Sequence, residues 1–240
     1  MKQKMVCILL AGMLAVSMSG CGSQEEAAGD STGQTRQEEV SDSAGEEENQ
    51  EEALQADGSV LVAYFTYGEN ANLPESVDAS SSASIQDYNG EITGNTGAVA
   101  RMISEAVGGD LFSIRTTKAY PDNYDNTVDQ GQEERREGAR PELAQTLENV
   151  DSYDTIFLGY PNWWGDMPMA VYTFLETYDL SGKTIIPFVT SGGSGFSSTV
   201  SEIEDLQPDA SVEEGIALGA SEAADAQAEV QEWVNGLGLL

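Results

Sequence analysis

The chain has 240 residues, which is enough for one ordinary domain with additional segments. It carries 42 Asp and Glu residues against 10 Lys and Arg residues, so its formal net charge is −32. This charge argues against nucleic acid or an acidic membrane surface as a partner, because phosphate groups would repel the protein. The absence of histidine excludes a Ser-His-Asp triad and histidine metal ligands, so any chemistry must come from carboxylates, hydroxyls, backbone donors or a bound cofactor.

The amino terminus resembles a bacterial lipoprotein signal. Lys2 and Lys4 precede an apolar stretch that is too short to span a bilayer comfortably, and the stretch ends in MSGC at residues 18–21. The resemblance implies that residues 1–20 are removed as a signal peptide and that lipid is attached to the Cys21 sulfur. We therefore expect a protein anchored outside the cytoplasmic membrane by lipid alone. The alternative is a plain secretory signal that leaves Cys21 as a free thiol.

Residues 21–58 are predicted to form a disordered, acidic tether. They are rich in Glu, Gln, Ser, Ala and Gly, and they contain too little apolar surface to offset the entropy of ordering. Cys7 and Cys21 are the two cysteines of the chain, so the sequence that follows contains no internal disulfide and no thiol chemistry.

Residues 59–240 are predicted to form one α/β domain. Near-continuous apolar runs predict strands that are buried on both faces, and helical spacing of apolar residues predicts the segments between them. The predicted strands are SVLVAYFT (59–66), DLFSIR (110–115), YDTIFLGY (153–160), KTIIPFVT (183–190) and VEEGIAL (212–218). The predicted helices are AVARMISEAV (98–107), PELAQTLENV (141–150), PMAVYTFLETY (168–178), SSTVSEIEDL (197–206) and SEAADAQAEVQEWVNGL (221–237). Five alternations of this kind predict a parallel, doubly wound sheet with helices on both faces, whose ligand lies at the carboxyl ends of the strands.

The first candidate site is the long connection after the first strand, which ends in Thr93-Gly94-Asn95-Thr96-Gly97 where a helix begins. Hydroxyl groups, an amide, open backbone N–H groups and the helix dipole can together hold a phosphate without any Lys or Arg. The same residue types also serve as ordinary helix caps, so these residues alone leave both interpretations open.

The second candidate site is YPNWWGDMPM at residues 160–169, directly after the third predicted strand. Adjacent side chains of a strand face opposite ways, so both tryptophans cannot enter one core. We predict that Trp164 packs in the interior and that Trp163 offers its face to a flat ligand. The third candidate site is TSGGSGFSS at residues 190–198, where Gly and Ser permit close backbone approach to a polar heterocycle, although a plain flexible turn has the same composition.

From residue 59 onward the chain resembles the flavodoxin family, most clearly in VLVAYFT, GYPNWWG, MPM and GKTIIPF. The resemblance implies a five-stranded parallel sheet and noncovalently bound FMN. It places Thr66, Thr93, Gly94, Asn95 and Thr96 around the phosphate. It places Pro161, Asn162, Trp163, Trp164 and Gly165 beside the isoalloxazine, and Ser191, Gly192, Gly193 and Gly195 in a third wall. The chain departs from short flavodoxins in one respect, because about two dozen residues separate Tyr67 from Thr93.

The expected function is electron transfer or oxidoreduction through FMN, with the flavin rather than a protein side chain supplying the redox chemistry. The acidic surface favours a basic redox partner and disfavours the anionic reduced flavin. One alternative is an FMN-dependent NAD(P)H:quinone-type reductase, and another is a non-redox module that binds a different ligand in the same cleft. No metal site is expected.

Overall fold

The computed structural model describes residues 59–73 and 84–239, all of which belong to one compact unit. The predicted signal peptide (1–20), the predicted tether (21–58) and Cys21 lie outside the described residues. Within the described ranges, no helix has both the length and the apolar character that crossing a membrane requires.

Strands and helices alternate along the described chain, except that the second strand is followed by the third and the seventh by the eighth. The strands are β1 (Ser59–Tyr64), β2 (Ile85–Tyr88), β3 (Glu91–Gly94), β4 (Asp110–Ser113), β5 (Tyr153–Pro161), β6 (Thr184–Ser191), β7 (Ser211–Val212) and β8 (Ile216–Gly219). The helices are α1 (Tyr67–Asn70), α2 (Asn95–Val107), α3 (Tyr124–Glu137), α4 (Met169–Thr177), α5 (Thr199–Leu206) and α6 (Gln227–Gly236). Short 3-10 turns occupy Val150–Ser152 and Ala223–Asp225.

The main sheet is parallel and has five positions, in the order β4-β1-β5-β6, with β7 and β8 together in the fifth position, end to end along β6. One face of the sheet packs against α2 and α6, whose buried residues include Met102, Ile103, Val230 and Val234. The other face packs against α4 and α5 through residues such as Phe174 and Ile203. The predicted doubly wound, five-stranded sheet is therefore confirmed.

The fifth strand of the sheet is divided by a proline in its neighbour. The Glu213 N–H donates to the Ile185 carbonyl at 2.9 Å. Every second residue of β6, including Pro187, therefore has its backbone hydrogen-bonding groups on the side of β7 and β8. Pro187 has no N–H to continue this ladder. Residues 186–187 of β6 are consequently opposed by the three residues 213–215, which separate β7 from β8.

The long connection after β1 contains regular structure rather than a plain loop. The single turn α1 comes first, and β2 and β3 later pair as an antiparallel hairpin. Asn89 and Gly90 form the hairpin turn with φ values of 55° and 89°. Asn-Gly between strands is the strongest short-range hairpin signal, so the sequence contained the information for this element.

The helix predicted over residues 141–150 is wrong, and α3 is the helix of this region. The Ala144 N–H donates to the Arg115 carbonyl at 2.7 Å, and the Glu142 carbonyl accepts from Thr117 at 2.9 Å. Backbone bonds to the segment after β4 thus replace intrahelical bonds. Leu147 is buried in the core, so long-range contacts override the local helix propensity.

Candidate functional site

A cavity of about 420 Å³ opens at the carboxyl ends of β1, β5 and β6, where a doubly wound sheet binds its ligands. The described lining residues are Thr66, Tyr67, Ser84, Asn95, Thr96, Tyr124, Thr127, Val128, Gly131, Pro161, Asn162, Trp163, Trp164, Thr190, Ser191, Gly192 and Ala220. None of these residues carries a charge. Polar recognition by this lining therefore depends on hydroxyl, amide and backbone groups.

One end of the cavity is built where the residue after β1 meets the start of α2. Gly94 is the N-cap of α2, and a Cβ on it would collide with the Thr66 hydroxyl and lie 2.7 Å from the Ser84 carbonyl. The two segments can approach this closely only because Gly94 has no side chain. Gly94 does not line the cavity but sets the position of Thr66 and Asn95, which do.

The first turn of α2 is held by the hairpin and by β6. The Asn95 N–H donates to the Ser84 carbonyl at 3.1 Å, and Gln86 Nε2 donates to Asn95 Oδ1 at 2.6 Å. The Thr96 and Thr190 hydroxyls are hydrogen-bonded to each other at 2.8 Å. A helix leaves its first N–H groups without intrahelical partners, so this fixed turn suits an anion. One predicted phosphate donor, the Asn95 N–H, is already engaged by Ser84.

Thr93 lies apart from the other residues predicted to surround the phosphate. It is fully buried, and its hydroxyl donates to Glu69 Oε1 at 2.6 Å. Thr93 does not line the cavity. Its hydroxyl binds a buried carboxylate instead of facing the cavity, and the sequence motif alone did not indicate this role.

The tryptophan loop contains a tight turn with unusual backbone geometry. Two backbone hydrogen bonds, of 2.9 and 3.0 Å, join Trp163 and Asp166 and close the turn. Trp164 and Gly165 have φ values of 60° and 77°, the pattern of a type I′ turn. Asn or Gly usually occupies the position of Trp164, since the left-handed region costs other residues about 1–2 kcal/mol. Backbone strain of this kind is concentrated at functional sites.

The two tryptophans differ in burial, and the structure contradicts the predicted position of Trp164. Trp163 packs edge-on against Phe65 and Tyr120, with ring centroids 5.4 and 5.5 Å apart. Trp164 is 49% exposed. Both rings line the cavity, but Trp163 is anchored in the core and Trp164 is the more available surface. The prediction that Trp164 fills the interior is therefore wrong. It assumed that adjacent side chains face opposite ways, as in a strand, whereas these two residues lie in a tight turn.

Asp166 fixes the tryptophan turn to its surroundings. Its carboxylate accepts hydrogen bonds from the Met167 N–H at 2.8 Å, the Tyr172 hydroxyl at 2.8 Å and Arg135 Nε at 2.9 Å. Arg135 belongs to α3 and Tyr172 to α4, so one carboxylate joins two helices to the turn. Gly165, which is not a lining residue, serves the turn itself.

The third loop is ordered by Ser191. Its hydroxyl accepts hydrogen bonds from the Gly193 N–H at 3.2 Å and the Gly195 N–H at 3.0 Å. Asn162 of the tryptophan loop donates to the Gly195 carbonyl at 2.8 Å. Ser191 and Gly192 line the cavity, whereas Gly193 and Gly195 shape the loop, with φ values of 117° and 56°.

Helix α3 supplies a wall of the cavity that lies outside the three predicted candidate loops. Tyr124, Thr127, Val128 and Gly131 all line it. A Cβ on Gly131 would lie 3.1 Å from the Trp163 ring, so a small residue is needed where α3 meets this ring. The i, i+3, i+4, i+7 spacing of these four residues is a helical face, and that spacing could have identified them. Of the other lining residues, Tyr67 and Ser84 lie in the first candidate loop and Thr190 begins the third, although none was singled out; Ala220 lies outside these loops.

Two buried tyrosines stiffen the framework beneath the cavity. Tyr120 donates to Glu134 Oε2 and Tyr160 donates to the Thr199 hydroxyl, both at 2.8 Å. Burial raises the pKa of both phenols, and the charge of Glu134 raises that of Tyr120 further. Both hydroxyls consequently remain protonated donors at neutral pH.

The fold and site together define a flavodoxin-like protein, with a parallel sheet in the 2-1-3-4-5 order and a cavity at its switch point. The flavodoxin family profile matches residues 85–237, which is more than half of the chain, and the chain belongs to this family. The comparison with curated proteins gave no match.

Several solved structures share this fold. A protein assigned as a flavoprotein from Bacteroides eggerthii DSM 20697 is 27% identical with a TM-score of 0.58, over 76% of this chain and 99% of that chain. A similar assignment from Bacteroides uniformis ATCC 8492 is 28% identical with a TM-score of 0.56, over 74% and 98%. A Lactobacillus acidophilus NCFM flavoprotein in complex with FMN is 16% identical with a TM-score of 0.50, over 71% and 99%, and shows the fold alone.

Proposed function

We propose that this protein binds FMN noncovalently in the cavity and transfers electrons through it on the outer side of the cytoplasmic membrane. FMN is the cofactor of the flavodoxin family, to which the chain belongs. The observation that carries the proposal is Trp164, a half-exposed aromatic residue held in a left-handed turn. It lines the same cavity as the first turn of α2.

The residues present fit the chemistry of FMN. Thr66, Asn95 and Thr96 offer hydroxyl, amide and helix N-terminal groups at one end of the cavity, which suit a phosphate without a neighbouring cation. Trp164 offers an aromatic face for an isoalloxazine, and Ser191 lies beside the Gly192 backbone for its polar edge. When bound, the flavin supplies the redox chemistry, while these residues bind it and orient it.

The charge of the chain supports a basic redox partner. A formal net charge of −32 creates a field that speeds the encounter with a positively charged protein and repels an acidic one. The same field disfavours the anionic reduced flavin and therefore lowers its reduction potential. The preference for a basic partner is tested by measuring the association rate with a basic electron-transfer protein at increasing salt concentration. The rate should fall as salt screens the charges.

The localisation rests on the amino-terminal sequence. The MSGC letters at residues 18–21 follow a basic and apolar segment, which supports lipid attachment at Cys21. Labelled fatty acid should enter the wild-type protein in a bacterial host and should be absent from Cys21→Ala. Label in the variant, or none in the wild type, would contradict lipidation at this residue.

Titration of FMN into the purified full-length protein tests the cofactor proposal. We expect quenching of flavin fluorescence on binding and, for Trp164→Ala, an affinity lower by about tenfold, since aromatic stacking contributes roughly 1–3 kcal/mol per ring. Leu111→Ala is the matched control, because Leu111 is also exposed, at 44%, and does not line the cavity. If the wild-type protein binds neither FMN nor FAD, the flavin proposal fails.

One observation favours a second function, the reduction of small planar acceptors. Tyr124 of α3 is 69% exposed and lines the cavity, so an aromatic surface remains available to a small reactant. Oxidation of NAD(P)H in the presence of a naphthoquinone tests this function. Slower turnover in Tyr124→Ser with unchanged FMN affinity would support a reductase. No turnover by the wild-type protein would refute the reductase function and leave electron transfer as the proposed function.

A further inference from the structure

Glu69 is a buried carboxylate in α1. It lies near the end of the cavity formed by Thr66, Asn95 and Thr96, which we call the phosphate end. Its side chain is only 4% exposed. It receives hydrogen bonds from Thr93 Oγ1 at 2.6 Å, Ser113 Oγ at 2.6 Å, the Tyr64 hydroxyl at 3.1 Å, Arg101 at 3.1 Å and Arg115 at 3.2 Å. Burying a carboxylate costs much free energy unless it is paired and hydrogen-bonded, and this one is satisfied by five donors.

The donors to Glu69 come from several segments near the end of the cavity formed by Thr66, Asn95 and Thr96. Tyr64 ends β1, Thr93 directly precedes the N-cap of α2, and Ser113 ends β4. Arg101 also donates to the Gly97 carbonyl in the first turn of α2, at 3.1 Å. Glu69 therefore joins the start of the inserted connection to its end, although the intervening chain is long.

The neighbouring residue, Asn70, extends this arrangement to the cavity wall. Its side-chain amide donates to the Thr66 carbonyl and to the Ile114 carbonyl, both at 3.0 Å. Its oxygen accepts the Thr116 N–H at 2.9 Å. Thr66, which lines the cavity, is thus fixed by the same short turn that carries Glu69.

The charges of this cluster balance beside an uncharged cavity lining. Arg101 and Arg115 contribute two positive charges, which Glu69 and the exposed Glu91 match with two negative charges. Burial by itself would raise the pKa of Glu69, but the hydrogen bonds from Ser113 and Thr93 and the charge of Arg101 outweigh it and lower that pKa. The carboxylate consequently stays ionised at neutral pH.

We propose that Glu69 is a positioning residue for recognition of the cofactor's phosphate group. In this protein it takes over the task that a compact loop performs in short flavodoxins, which is to hold the residue after β1 against the first turn of α2. The inference rests on the FMN site proposed above. It concerns the phosphate end alone, so it separates FMN from riboflavin, which has the same ring system without the phosphate.

The test compares FMN and riboflavin binding by the full-length protein and its Glu69→Gln variant. Glutamine keeps the size of the side chain but meets the two arginines with an amide. We expect the Kd for FMN to rise by about tenfold, since Thr66 and the first turn of α2 would no longer be held in place for the phosphate. The Kd for riboflavin should change by less than about twofold. Glu91→Gln is the matched control, because Glu91 also pairs with Arg101, at 3.4 Å, but is 73% exposed.

The outcomes separate this inference from the FMN proposal. Wild-type protein that fails to bind FMN refutes both. Wild-type protein that binds FMN while Glu69→Gln retains its affinity, or loses FMN and riboflavin affinity equally, refutes the role of Glu69 alone. If Glu69→Gln does not fold, Ser113→Ala replaces it, because this change removes one donor at 2.6 Å and leaves the carboxylate in place. It should show a smaller loss, about threefold, again for FMN and not for riboflavin.

Discussion

Replacing Trp163 and Trp164 separately by alanine should have opposite consequences for stability and for FMN binding. Trp163 packs between Phe65 and Tyr120 and touches α3 near Gly131. Trp164 lies at the turn position beside it, half in solvent. The two variants remove the same side chain from adjacent positions, so any difference reports the environment of each ring.

The magnitudes follow from the packing of the two rings. Truncating a buried aromatic side chain costs about 3–5 kcal/mol, and Trp163 is only partly buried, so we expect about 3 kcal/mol of lost unfolding free energy. Trp164 is 49% exposed, and alanine keeps the unfavourable left-handed backbone, so we expect a loss of about 1 kcal/mol or less. The same Trp164→Ala change should lower FMN affinity by about tenfold.

Urea unfolding followed by far-ultraviolet circular dichroism measures both stabilities without depending on the tryptophans themselves. Flavin fluorescence then measures FMN affinity for each variant that is folded. Equal losses of stability, or a larger loss for Trp164→Ala, would refute the assignment of Trp163 as the anchored ring. Unchanged FMN affinity in Trp164→Ala would refute its contact with the flavin.

Three further predictions concern packing and ionisation. Gly94→Ala should weaken FMN binding and lower the unfolding temperature, because its Cβ would collide with Thr66, whereas Gly236→Ala, with no atom within 4 Å of its Cβ, should do neither. Burial and the charge of Glu69 raise the pKa of Tyr64 to about 12. The protonated phenol therefore stabilises the folded state fully below its ordinary pKa of 10.0, and this contribution is lost as the pH rises through about 12. Absorbance at 295 nm should accordingly show fewer ionised tyrosines at pH 11 in folded protein than in urea, and equal amplitudes would contradict this. The lowered pKa of Glu69 stabilises the fold above its ordinary value of 4.5 and is lost as the pH falls through the folded value, so Glu69→Gln should flatten the acid limb of a stability-versus-pH curve.

Much of the fold was predictable from local pattern. The apolar run of β5 and the helical spacing of α2 correspond to buried strands and a helix packed on the sheet, because burial on both faces requires such residues. The parallel sheet and its binding edge follow from this alternation. Asn89-Gly90 is also a local signal for a hairpin, although the segment was predicted to be a loop.

The helix predicted at residues 141–150 shows where local pattern fails. Its residues have ordinary helix propensity, yet Ala144 hydrogen-bonds to the segment after β4 and Leu147 enters the core. Those partners lie far away in sequence, and a window of ten residues contains no information about them.

The sequence by itself determined the sheet class, the family resemblance and the three loops that converge on the cavity. Only the tertiary structure decided which tryptophan is anchored, since the turn closed by Trp163 and Asp166 departs from strand alternation. Only the tertiary structure brought α3 to the cavity and placed Thr93 against Glu69 rather than in the lining. The physical reason is that these contacts join segments far apart in the chain, where periodicity specifies which face is buried but not what covers it.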